Sequence, residues 1–262
     1  MKQVLITGGT GELGLALTHI FLKKKYYVHL ADIDQERQSE QLAHLKDHPN
    51  ISFHQINLCN PNEIKALGQK LAPQIDLVIN NAGVVSGKSL LDLSTEDIDR
   101  TFQVNSIAPL HIYRAFLPEF LNKGHGHFID IASAAGLMGV NKLSDYSASK
   151  FAHFGAHESL RMEIKKNKWN IDMTIVCPFF IKTKLFSGAK TRFPFLLPIL
   201  KVENVAKAII HGIEKKKTRI LIPSMVWTVW IMRYLPTDIY DYVGSFLGMS
   251  SSMEDFKGHN KP

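Results

Sequence analysis

Val4-Leu5-Ile6-Thr7-Gly8-Gly9-Thr10-Gly11-Glu12-Leu13-Gly14 decides the fold. A short apolar, strand-forming run enters a glycine-rich turn, and a helical stretch then extends to about Lys25. In this arrangement backbone amides approach a pyrophosphate that rests on a helix N-terminus. The spacing Gly9-x-Gly11-x-x-Gly14 is weak evidence alone, but a strand before it, a helix after it and an acid about 20 residues on make it specific. That acid is Asp32, at the end of the second apolar run. A carboxylate there accepts hydrogen bonds from adenosine ribose hydroxyls and repels a 2′-phosphate, and no Arg or Lys adjoins it, so NAD is favoured over NADP. The competing reading of Asp32 is a helix N-cap, a job for which Asp34 is also placed.

Outward from this turn the chain alternates strand and helix almost to its end. Strands are expected at 4–7, 27–31, 51–56, 77–80, 127–132, 171–177 and 220–222, and helices near 35–47, 61–71, 97–122, 146–168 and 202–215. Such alternation implies right-handed crossovers and an α/β, doubly wound, mainly parallel sheet with helices on both faces. With no repeat or linker, 1–262 reads as one domain. Residues 1–182 are its cofactor and catalytic core, and 183–262 the substrate loop and C-terminal apolar region.

Bulk properties narrow the class. At 262 residues and 45% hydrophobic, the chain can bury a substantial core. Cys59 and Cys177 suggest no disulfide framework, which fits a reducing, cytoplasmic location. No apolar run is long enough to span a membrane, and no basic leader or cleavage site precedes Val4. The net charge of +7 is concentrated in lysines at 23–25, 165–168 and 215–217, each where a helix is expected to end and where cations offset the helix dipole. Without an aromatic-interleaved basic stripe, nucleic-acid binding is not expected.

The second informative stretch is Tyr146-Ser147-Ala148-Ser149-Lys150, with Ser133 upstream. Tyr and Lys four residues apart share one helix face, and an ammonium near a phenol favours the phenolate. Ser133 can hydrogen-bond a substrate oxygen while Tyr146 gives or takes its proton. Tyr-x-x-x-Lys alone is weak, since both residues are common on solvated helix faces. Asn80-Asn81-Ala82-Gly83 closes the fourth expected strand with small residues that let a loop pass close to a cofactor, and with amides that can tie adjacent loops. Asn105 is an unusual choice inside a helix, for which the simpler explanation is a bond to its own backbone.

Taken together, the glycine turn, Asp32, Asn80-Asn81-Ala82-Gly83, Asn105, Ser133, Tyr146 and Lys150 resemble the short-chain dehydrogenase/reductases in order and spacing over essentially the whole chain. The resemblance implies a seven-stranded Rossmann fold and an Asn105-Ser133-Tyr146-Lys150 tetrad. In it Tyr146 is the general acid/base, and Ser133 positions the substrate oxygen. Lys150 lowers the Tyr146 pKa and holds the nicotinamide ribose, and Asn105 anchors a relay water. NAD contacts are then expected from Gly8, Gly9, Thr10, Gly11, Glu12, Leu13 and Gly14, from Asp32, Asn57 and Leu58, from Asn81, Ala82 and Gly83, and from Tyr146, Lys150, Pro178, Ile181 and Thr183. The run Cys177-Pro178-Phe179-Phe180-Ile181-Lys182-Thr183 and the later Phe195-Leu196-Leu197-Pro198 are similar to the branch containing retinol and lipid-droplet hydroxysteroid dehydrogenases. That implies a lipophilic alcohol as substrate, and a homodimer or homotetramer.

Three positions depart from the family pattern. Glu12 stands where compact members place a Gly, which sets a charge near the expected pyrophosphate. Asn57 replaces an Asp that often contacts adenine. The N-terminal hydrophobic anchor of the animal enzymes has no counterpart before Val4, which argues against firm membrane residence.

In the tail, 193–200 reads as a substrate-loop helix and its exit. The stretch 220–235, with Trp227 and Trp230, reads as a lid or packed wall over a lipophilic pocket; a peripheral membrane contact and a subunit contact are the alternatives. His44/His48 and His153/His157 have helical spacing but no third ligand, so no metal is expected; in the family the helix carrying the second pair often packs against a partner subunit. The functional expectation is an NAD-dependent oxidoreductase interconverting a lipophilic alcohol and its aldehyde or ketone. The alternatives are a non-catalytic nucleotide sensor or scaffold on the same fold, and an epimerase-like use of bound NAD.

Overall fold

The structure, a computed structural model, describes residues 1–33, 45, 47–195, 197–249 and 251–256. All seven expected strands form: β1 (Gln3–Thr7), β2 (Tyr27–Asp32), β3 (Ile51–Gln55), β4 (Leu77–Asn80), β5 (Gly126–Ile131), β6 (Ile171–Pro178) and β7 (Arg219–Ile222). They pair in one sheet of order β3-β2-β1-β4-β5-β6-β7, and every pairing is parallel. Because both faces are covered, central strands read as continuous apolar runs rather than as alternation. Val4, Leu5 and Ile6 are all fully buried, and so is every residue of β5.

The period-2 geometry of the strands divides the core into two layers. Val4 and Ile6 pack with Leu17 and Phe21 of α1 (Glu12–Lys23), whose layer is completed by Val205 and Ile209. Leu5 points the other way, into a layer holding Ile64 of α2 (Pro61–Leu71), together with Phe116, Phe120 and Phe128. Burying each such side chain contributes about 1.5–3 kcal/mol. The strand order reverses between β1 and β4, and the crevice outside their carboxyl ends is where ligands of such sheets bind.

The single helix expected over 97–122 is three segments. α3 (Thr95–Phe102) starts at a Ser94/Asp97 capping box, a π turn spans Gln103–Ile107, and α4 (Ala108–Lys123) follows. Pro109 has no N–H to give the carbonyl four residues back, that of Asn105, so the regular ladder breaks at the candidate site residue. Next come α5 (Ser144–Lys166) and α6 (Val202–Glu214). The C-terminal region carries α7 (Thr228–Met232) and α8 (Thr237–Phe246).

Lysines do sit at helix ends: Lys23 and Lys165–Lys166 occupy last turns, and Lys25, Lys168 and Lys216 take left-handed φ values of 60°, 55° and 48° just beyond. Among its described residues, 193–200 holds no helix: Pro194 sits in a turn closed by the Leu197 amide on the Phe193 carbonyl, and Leu200 bridges Ile181. Asp34, His44 and all of the helix expected near 35–47 except residues 45 and 47 fall outside the described residues, and His48 accepts from the Asn50 amide. No described helix is long and apolar enough to cross a membrane.

Candidate active site

The turn after β1 is shaped by glycines that cannot be replaced by larger residues. Gly8 has φ +59°, and a Cβ there would stand 2.8 Å from the Ala82 Cα. A Cβ on Gly14 would stand 2.6 Å from the Gly8 carbonyl oxygen. The turn is thereby pressed against the loop after β4, and hydrogen bonds lock the two together. Asn81 Nδ2 donates to the Thr7 and Gly8 carbonyls at 2.9 and 3.0 Å, and the Thr7 hydroxyl accepts from the Asn81 and Ala82 amides.

Among the described residues, the Asp32 carboxylate faces the glycine turn. Its Oδ2 accepts from the Thr10 amide at 3.1 Å and the Thr10 hydroxyl at 2.6 Å, which tethers the glycine turn to the end of β2. Asn57 Oδ1 accepts from the Cys59 amide, so its side chain shapes the loop after β3. Glu12, the departure from the family pattern, reaches across the crevice: its Oε2 accepts from the Lys184 amide at 2.6 Å.

These groups open onto a cleft of about 1030 Å³. Its walls include Gly8, Thr10, Gly11, Glu12 and Leu13 from the turn, Asp32, Asn57 and Leu58, then Asn81, Ala82 and Gly83. Tyr146, Lys150, Pro178, Ile181 and Thr183 close the far end. Gly9 and Gly14 are not on its surface; a Cβ on Gly9 would meet the Leu30 side chain at 2.9 Å, so these two glycines serve packing beneath the turn. The cradle, the acid and the anchored loop fit a dinucleotide. Among the described residues no group of three His, Cys, Asp or Glu is placed to hold a metal ion, and Cys59 and Cys177 are free thiols.

At the closed end, burial sets the electrostatics. Tyr146 is pushed up to about 12 by burial, an effect that its hydrogen bond with Ser133 opposes. Lys150 is pushed down to about 8 by burial; the Asp130 carboxylate opposes this, whereas Cys177 would do so only as a thiolate, and burial holds its thiol protonated up to about 12. The Lys150 ammonium donates to the Ile131 carbonyl at 2.9 Å and lies 5.8 Å from the centre of the Tyr146 ring. Asn105 is fully buried and does not bond its own backbone. Its Oδ1 accepts from the Val84 amide at 2.9 Å, and its Nδ2 donates to the Val84 carbonyl and to the Ser149 hydroxyl. The π turn thus pins α5 to the loop beyond Gly83.

The short chain dehydrogenase family model matches residues 2–192, which hold this cleft and all four of Asn105, Ser133, Tyr146 and Lys150. The chain belongs to the short-chain dehydrogenases. It is 36% identical over 265 residues to mouse epidermal retinol dehydrogenase 2, covering 98% of this chain and 86% of that one. It is 33% identical over 229 residues to human 17-beta-hydroxysteroid dehydrogenase 13, covering 85% and 75%. A short-chain dehydrogenase/reductase from Burkholderia phymatum, solved in complex with NAD, superposes with a TM-score of 0.78 at 23% identity over 88% of this chain and 92% of that one. This short-chain dehydrogenase is therefore an oxidoreductase related to retinol and steroid dehydrogenases.

Beside the cleft lies a second, apolar pocket of about 30 Å³. Its floor is Ser133 and Tyr146, its walls include Leu143, Phe179, Phe180 and Phe186, and its roof is Leu247, Met249 and Ser252. The tail continues past this roof. Met253 is buried against Tyr146 and Phe180, and Phe256 lies where a Cβ on Gly87 would be 2.0 Å from its ring. The 220–235 segment is a packed wall rather than the lid: Val226 and Val229 pack behind the Ser133 turn against Ala132, Ala134 and Leu137, and none of the segment lines the pocket. The sequence reading missed the roof, because nothing local in 247–256 marks a pocket wall.

His153 and His157 lie on the inward face of α5. Both are 1% exposed and turn inward onto Asp130, so they leave the outer face of α5 to residues such as Met162.

Proposed function

We propose that this protein is an NAD-dependent oxidoreductase that interconverts a lipophilic alcohol, retinol-, steroid- or long-chain-like, with its aldehyde or ketone, and that Tyr146 is the general acid/base. The observation that carries this reading is the shared wall of the two cavities. Ser133 and Tyr146 line both the polar cleft and the apolar pocket, so a substrate oxygen held at these two side chains meets a ligand in the cleft on one side and apolar side chains on the other.

The nicotinamide, when bound, supplies or accepts the hydride. Tyr146 gives or takes the proton at the substrate oxygen, and Ser133 donates a hydrogen bond to that oxygen. An ammonium at Lys150, 5.8 Å from the ring centre, favours the phenolate of Tyr146 and so works with the Ser133 hydrogen bond against the burial that raises Tyr146. Asn105 fixes the distance between the Val84 loop and α5, along which a proton can leave. Asp32 supports NAD over NADP, since a 2′-phosphate would face its carboxylate. Names among the relatives support the substrate class, as does the aromatic lining of Phe179, Phe180 and Phe186. Exposed Trp227, Ile231, Tyr234 and Tyr242 on the C-terminal segments support peripheral membrane contact. Leu110 and Met162, exposed on α4 and α5, support self-association through that face.

The test is turnover of retinol, hydroxysteroids and long-chain alcohols with NAD and then NADP, with products read by chromatography. Tyr146→Phe should lower turnover at least about a hundredfold and leave the NAD dissociation constant nearly unchanged. Retained turnover in that variant sinks the mechanism. Silence across the panel with intact NAD binding favours a nucleotide-sensing role.

A further inference from the structure

A carboxylate is almost never fully buried unless it is paired, and Asp130 in β5 is completely buried. Four side-chain donors converge on it. Oδ1 accepts from the Asn80 amide of β4 at 2.8 Å and from His153 Nε2 at 3.2 Å. Oδ2 accepts from the Tyr113 hydroxyl of α4 and from His157 Nδ1, both at 2.6 Å. An ionised carboxylate only accepts, so each imidazole presents its N–H to Asp130. The opposite ring atoms, His153 Nδ1 and His157 Nε2, are buried without a hydrogen-bond partner, which suits the acceptor of a neutral ring.

Burial alone would raise the proton affinity of Asp130. The hydrogen bonds from His153 and His157 lead the contacts that more than offset it and hold the group well below the ordinary carboxylate range. The brace accounts for the hydrogen bonds, and the neighbour explains the charge. Lys150 lies one turn before His153 on α5, and its ammonium bonds the carbonyl of Ile131, the residue after Asp130. Besides Tyr113 and His157, which donate to Asp130, the titratable groups facing Lys150 and Asp130 are Tyr146 and His153 from α5, Cys177 from β6, and His127 from β5. Burial pushes Tyr146 and Cys177 up to about 12, lowers His153 and takes His127 down to about 4, so all four are uncharged where Lys150 titrates. Among these groups Asp130 is the anion that acts on Lys150.

We infer that Asp130 is a positioning residue for the reaction: it supplies the buried negative charge that keeps Lys150 an ammonium ion where it faces Tyr146. The inference rests on the reading of Tyr146 as general acid/base. Asp130→Asn removes the charge and keeps the shape. It should move the alkaline limb of the kcat/KM profile for alcohol oxidation about one pH unit or more toward acid. Tyr113→Phe loosens the same brace but keeps the charge, so it should lower Tm and leave the limb in place. An unmoved limb in Asp130→Asn, or an equal movement in Tyr113→Phe, overturns the inference.

If Asp130→Asn does not fold, the unaltered protein decides. The Lys150 side-chain resonance, assigned by its loss in Lys150→Met, should report an ammonium up to about pH 8. Loss of that ammonium below about pH 7 overturns the inference, because Lys150 would then be uncompensated. Failure of the underlying reading looks different: Tyr146→Phe would remain active, whereas an inactive Tyr146→Phe with an unmoved limb refutes the role of Asp130 alone.

Discussion

Replacing Lys150 by Met should abolish function and stabilise the fold. Lys150 is 3% exposed, and its pKa is lowered from the ordinary 10.5 to about 8, with burial as the main cause. At about 1.4 kcal/mol per pH unit, that interval represents about 3 kcal/mol of unfavourable burial carried by the protonated side chain. Met fills a similar volume without charge but leaves the Ile131 carbonyl without its donor, which costs about 1 kcal/mol or more. The net expectation at neutral pH is a gain of about 2 kcal/mol, roughly 5 °C in Tm for a chain of this size.

The pH dependence distinguishes this cause from better packing. The folded-state value lies below that of a free lysine, so the unfolded chain binds more protons between about pH 8 and 10.5. Wild-type stability from this group therefore rises across that window, and the penalty is fully present below it. The advantage of Lys150→Met should be full at pH 7 and fade toward pH 10.5. Urea unfolding of the two proteins without cofactor, at pH 7 and near pH 10, measures it. A variant less stable than wild type at pH 7, or one whose advantage grows with pH, refutes the reasoning.

Asp32→Ala should erode the preference for NAD over NADP and also weaken the apo fold by about 1–3 kcal/mol, because two hydrogen bonds from Thr10 lose their acceptor. Calorimetric titration with both dinucleotides reads the first effect, and unchanged selectivity would count against the ribose contact. Glu12→Gln keeps an acceptor for the Lys184 amide and removes a charge from the cleft wall, so NAD should bind a few-fold more tightly. An unchanged dissociation constant would mean that this charge is not felt by the pyrophosphate.

The sheet was legible because its signals are local. Each strand is an apolar run bounded by turn residues, and the glycine turn carries its own steric logic at Gly8 and Gly14. Ser133, Tyr146 and Lys150 were legible because helical spacing brings Tyr and Lys together. The broken helix at Asn105 was foreshadowed by Pro109, but hydrophobic period runs through 97–122 and hides the extra residue. Pro194 sits in a turn that the apolar character of 193–200 does not disclose. The Asp130 cluster could not be read, since the i, i+4 spacing of His153 and His157 defines a shared face without saying which way it points. The reach of Glu12 to Lys184 and the roof from 247 onward unite residues far apart in sequence, and local pattern carries no trace of them.

Asp130 and the four residues around it are bound to a common fate in sequence drift. Losing one of Asn80, Tyr113, His153 or His157 leaves a buried carboxylate short of a donor, and losing Asp130 leaves four donors facing nothing. Each single step is penalised more than the coordinated replacement of the whole set by apolar residues. Divergent descendants of this chain should therefore keep the cluster entire or lack it entirely, with few sequences caught between.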